Sequence, residues 1–124
     1  MRLPQFCFLL AGVTALAGMS LGIYMALAQD HSLMPVHAHL NLLGWVTMFL
    51  MGLYYKTHER ALGRLATLQV TASVAGYVSL MTGLATLIGT GRETLMPLLI
   101  AGAMLVWLGM LMFIVIIWRT GRRQ

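Results

Sequence analysis

Charge is what this sequence has least of. Only three of its 124 residues are acidic, Asp30, Glu59 and Glu93, and eight are basic. A water-soluble domain carries charge on roughly a quarter of its residues. A chain this short cannot fold a 60% apolar composition away into one aqueous core. Cysteine is nearly absent as well. Cys7 stands alone, so no disulfide forms within the chain, and without a Cys-x-x-Cys-His stretch no c-type heme is attached covalently. The formal charge of +5 does not point to nucleic acid, because the basic residues sit at the ends of apolar segments. The partner they imply is a lipid bilayer.

What is abundant is long apolar runs. They cover about residues 4–28, 35–55, 65–89 and 95–118, each 21 to 25 residues long. About 20 residues of helix cross a ~30 Å hydrocarbon layer. The expectation is an all-α integral membrane protein of four transmembrane helices, a single membrane domain over 1–124. Arg2, Lys56, Arg60, Arg64, Arg119, Arg122 and Arg123 fall on one side of such a bundle, with Arg92 alone on the other. By the positive-inside rule both termini are cytoplasmic, in the inner membrane if the source is a Gram-negative bacterium. "MALAQD" offers an Ala-x-Ala cleavage site, but the apolar stretch before it far exceeds the 7–15 residues of a signal peptide. A first span is the better reading.

Small residues recur at close-packing intervals: Gly18 and Gly22, Ser79 and Gly83, Gly102 and Gly109. Such positions let helix backbones approach in lipid.

Ionisable groups inside a span are costly, and "MPVHAHLNLLGWV" holds two. Pro35 suits a first helical turn, and Ser32 is placed to cap it. At 100° per residue, His37 and His39 point about 200° apart. One metal ion cannot take both from one helix, since the zinc-protease spacing is i, i+4. The pair serves two sites, or one site and one structural contact. Hydration at the headgroup level explains a lone interfacial histidine, but of two opposed rings at least one must face protein or cofactor. Asn41 shares a face with His37, and Gly44 thins the helix enough to admit a flat ring. Trp45, Phe49, Tyr54 and Tyr55 read equally as packing aromatics or cofactor contacts. Eleven methionines could handle copper, but they are scattered over all four runs. His31 and His58 read as solvated loop residues, with His31 a minor candidate for contact with a metal or a cofactor's propionates. Glu93 favours the positive end of the fourth helix.

The stretch "HAHLNLLGWVTMFLMGLYY" resembles the tenth helix of subunit I in heme–copper oxidases, closest to the C-type and nitric oxide reductase branch. The shared pattern is His-x-His, Leu-Gly-Trp-Val three residues later, then Gly and Tyr. The likeness is close over about 20 residues and only architectural elsewhere. In that family the first histidine holds a high-spin heme and the second a low-spin heme. The resemblance therefore implies that His37 and His39 are ligands to heme iron, with Asn41, Gly44 and Trp45 around the cofactor. The family's twelve helices form three four-helix arcs, whose ligands come from the second helix of each. A single four-helix unit with the pair on its second helix implies a homotrimer, with heme b between protomers.

No further histidine lies within a span, so no asymmetric copper site is encoded and full oxygen reduction is not expected. Neither the family's histidine-linked tyrosine nor its proton channels are recognisable. The leading expectation is a heme-binding membrane protein for electron transfer or redox sensing, with a quinone or cytochrome as redox partner. The alternatives are copper or zinc handling by symmetry-related histidines, and a non-catalytic oxidase assembly subunit.

Overall fold

Each of the three prolines opens a helix, where its missing N–H removes no hydrogen bond. A computed structural model describes residues 2–122 and contains four helices long and apolar enough to cross a membrane. They are α1 (Leu3–Ala28), α2 (Met34–Thr57), α3 (Arg64–Thr90) and α4 (Met96–Gly121). One-turn 3-10 helices, Glu59–Ala61 and Glu93–Leu95, lie in the second and third connections. No strand occurs among the described residues. Arg123, counted above with the basic end, lies outside them.

The connections stop the helices by simple means. Gln29 ends α1 in the left-handed region, at φ 55°, donating its N–H to the Met25 carbonyl. Gly91 ends α3 at φ 66°, where a side chain would be strained, and donates to the Leu87 carbonyl. Ser32 does not cap α2. The capping position is Leu33, which has no side-chain cap, and the Ser32 backbone N–H instead donates to the Asp30 carboxylate at 2.9 Å. A Ser32 cap would need the N–H of Met34 or Pro35, but Met34 donates to the His31 carbonyl at 3.1 Å and proline has none to give.

The helices pair as two hairpins, α1 with α2 and α3 with α4. In the most apolar stretch of each helix only 28% of residues are buried, or 17% in α4. Large apolar side chains therefore face outward on every helix, among them Leu16, Phe49, Val78 and Trp107. This is the pattern of a multi-pass membrane protein, with apolar surface turned outward around a small packed centre.

That centre lies toward the end carrying the basic loop. Cys7, Ala11, Met48, Met51, Tyr55, Ala66, Val70 and Ile116 form one cluster drawn from all four helices. Within it sits a polar clamp on Gln69, which has no solvent exposure. Its amide oxygen accepts from the Tyr55 hydroxyl at 2.9 Å, and its amide nitrogen donates to Ser73 Oγ at 3.0 Å and the Gly109 carbonyl at 3.2 Å. One side chain on α3 thus ties α2 and α4 together. Gln69→Leu strands those partners and is expected to cost about 1–2 kcal/mol, read as an earlier unfolding midpoint in detergent.

Between α3 and α4 the glycines do what their spacing suggested. A Cβ at Gly102 would meet the Leu80 backbone nitrogen and the Gly76 carbonyl, and one at Gly109 would meet Ser73. Gly83 meets the Leu99 backbone. Gly76 joins it in this contact, whereas Ser79 is only half-buried.

Candidate functional site

The second span is not one uniform α-helix. Met34–His39 is α-helical, Leu40–Thr47 runs in wide π-type turns, and Met48–Thr57 is α-helical again. In a π turn each N–H reaches one residue further back than in an α turn. The Asn41 side chain donates from Nδ2 to the His37 carbonyl at 2.8 Å, where the wide turns begin. At the far end, Thr47 Oγ1 donates to the Leu42 carbonyl at 2.7 Å, five residues back. These side-chain donors stabilise a winding that periodicity alone does not anticipate.

His37 turns toward α1. Its Nδ1 lies 2.9 Å from the Gly18 carbonyl, and its ring covers Gly22, where an added Cβ would stand 3.0 Å from Cε1. His39 keeps to its own helix, with Nδ1 2.7 Å from the Pro35 carbonyl, and is only half-buried. A carbonyl oxygen can only accept, so in both rings Nδ1 carries the proton. In the neutral ring that leaves Nε2 with an unshared lone pair, the state of a metal-ligating imidazole held by an outer hydrogen bond. Neither Nε2 has a hydrogen-bond partner among the described residues, yet no buried side-chain nitrogen or oxygen there is left unpaired. The free nitrogen of His37 is therefore reachable from outside the chain. The two rings take different partners, one on α1 and one within α2.

The surrounding residues divide by role. Asn41 packs into the space left by Gly18 while holding the His37 carbonyl. Gly44 is buried and faces the Tyr77 hydroxyl and Thr14, so the flat ring lying against it belongs to this chain. Trp45 is 42% exposed on the outer surface. His31 is exposed in the α1–α2 turn beside Asp30. The Asp30 carboxyl is held below its ordinary range, chiefly by the Ser32 backbone N–H, with His31 a smaller contributor. His58 does not stand free in its loop: its ring stacks on Tyr54 at 4.4 Å and its Nδ1 lies 2.9 Å from Thr57 Oγ1.

Gly18 and Gly22 are the site residues that sequence reasoning placed in the wrong role. Read as points of backbone contact, they are sockets for Asn41 and His37. The signal was present, since sockets four apart on α1 face side chains four apart on an antiparallel α2.

Among the described residues no three His, Cys, Asp or Glu side chains gather into a metal site. A metal held within one chain would have at most two such ligands. No protein-family model matches the chain, and neither does any curated protein or solved structure.

Proposed function

We propose that this chain is a heme-binding protein of a bacterial inner membrane that carries electrons or senses redox state. In this reading its termini are cytoplasmic, and heme b is held between protomers of a homotrimer by His37 and His39. One observation carries the reading: both imidazoles donate Nδ1–H to a backbone carbonyl, leaving Nε2 free. That donor set fits iron, for which neutral imidazole is a common axial ligand. The likeness of the α2 sequence to the histidine helix of heme–copper oxidases supports the same cofactor.

The chain's own residues have definite tasks here. Gly18 supplies the carbonyl that fixes the His37 tautomer, and Gly22 leaves room for its ring. The Pro35 carbonyl accepts from His39 Nδ1 and orients that ring. Asn41 bonds the His37 carbonyl where the wide turns begin, and Gly44 packs the helix to Tyr77. The exposed Trp45 offers an aromatic face to a neighbouring chain or the edge of a flat cofactor. Heme supplies one-electron chemistry at its iron. Held by both His37 and His39, heme would supply electron exchange with a quinone or cytochrome rather than substrate activation.

Purified from heme-replete cells, the protein is expected to show a sharp α-band on reduction, with heme equimolar to chain. His37→Ala and His39→Ala are each expected to abolish that band while leaving helicity by circular dichroism unchanged. A colourless protein carrying copper or zinc would overturn the heme assignment.

A further inference from the structure

At the end of the bundle away from the histidines, the loop between α2 and α3 leaves a pocket against α4. It has a volume of about 210 Å³ and is lined by Arg60, Arg64 and Arg119, with Leu65 and Ile116 among its apolar walls. We propose that it binds the phosphodiester headgroup of an anionic phospholipid.

The three guanidinium groups come from three different elements: the short helix after α2, the first residue of α3 and the last turn of α4. No carboxylate lines the pocket, although Glu59 adjoins Arg60 in sequence; Glu59 faces the two neighbouring hollows instead. The pocket is thus a concentration of positive charge with nothing acidic in its wall. Its residue type is informative as well. Orienting a span needs only positive charge, which Lys or Arg supplies equally. A phosphodiester is gripped best by the planar fork of Arg, and all three positions carry Arg. The first turn of α3 adds to the field, because Gly63 leaves it without a side-chain cap.

The apolar wall selects the source of the phosphate. Leu65 and Ile116 belong to membrane-length helices, and Leu62 at the rim is an exposed large apolar side chain. An acyl chain gains from that wall and a free phosphate ion does not. Basic pockets at the ends of membrane helices suit such headgroups. The inference rests on the membrane placement of the chain and is independent of the heme.

Native mass spectrometry of the full chain in detergent tests it, with phosphatidylglycerol, phosphatidylcholine and inorganic phosphate as probes. The protein is expected to retain phosphatidylglycerol over phosphatidylcholine, and millimolar phosphate is expected not to displace it. Each arginine near the surface contributes about fivefold, so the double variant Arg64→Gln/Arg119→Gln is expected to lose about twentyfold or more in retention. Arg92→Gln, at the opposite end, is expected to change nothing. Equal retention of both lipids, displacement by phosphate, or full retention by the double variant would each overturn the site. The lipid comparison and the phosphate competition use the unaltered chain, so they decide the matter even if the variant misfolds. Recovery of the chain as a detergent-free soluble protein would instead overturn the membrane placement itself.

Discussion

Produced together in equal amounts, His37→Ala chains and His39→Ala chains are expected to recover about a quarter of the wild-type heme. Either variant alone is expected to bind none. In the proposed homotrimer each boundary takes His37 from one chain and His39 from the next. Half of the chains offer the first and half the second, so about half of one half of the boundaries are complete. A heme held within one chain, or by two copies of the same histidine, gains nothing from mixing. Heme content per chain, read by reduced-minus-oxidised absorbance, distinguishes these cases, and the mass of the detergent-stripped oligomer separates a trimer from a dimer. Recovery indistinguishable from zero in a well-folded mixture would remove the shared-ligand arrangement.

The second large effect is expected at Gly102, far from the histidines in sequence. A Cβ there would strike the Leu80 backbone nitrogen and stand 2.7 Å from the Gly76 carbonyl oxygen. Both are main-chain atoms, which cannot swing aside as a side chain can. Gly102→Leu must therefore push α3 and α4 apart along the contact that also includes Gly83 and Gly109. Overpacking usually costs 1–3 kcal/mol, and with backbone on the receiving side about 3 kcal/mol or more is expected. Gly12→Leu is the control, since nothing lies within 4 Å of a Cβ at Gly12. The expected result is a large fall in the thermal midpoint of the detergent-solubilised protein for Gly102→Leu and almost none for Gly12→Leu. Equal effects would mean that the α3–α4 seam is not tightly packed.

Much of this architecture is legible in the residues because long apolar runs leave few choices but helix. Four runs of membrane length, separated by charged or proline-marked breaks, gave helix limits within a few residues of those observed. The Gly102 and Gly109 contacts were readable because small side chains seven apart recur on one helix face. Less legible was anything set by side chains bonding to the main chain. The expected Ser32 cap fails because Pro35 has no N–H and the Met34 N–H goes to the His31 carbonyl. The wide turns of α2 depend on Asn41 and Thr47 serving particular carbonyls, which hydropathy does not register. The pairing of Gly22 with His37 and Gly18 with Asn41 needed the antiparallel register of α1 and α2. Cys7 against Gly52 follows the same register, a large-to-small match at each step. Opposed directions for the histidines are an expectation of helical geometry, whereas their shared tautomer required the carbonyl positions.

The wide turns also give α2 two independent azimuths. Each residue of α-helix swings the next by about 100°, so lengthening the loop of a few hydrogen bonds changes the angle between what lies above and what lies below. Above Leu40 the helix aims imidazoles; below Thr47 it seats Met48, Met51 and Tyr55 among the other helices. Straight α winding would lock those two bearings together. With the slack placed between them, substitutions that lengthen or shorten the wide segment can re-aim the imidazoles while the packed half keeps its seat.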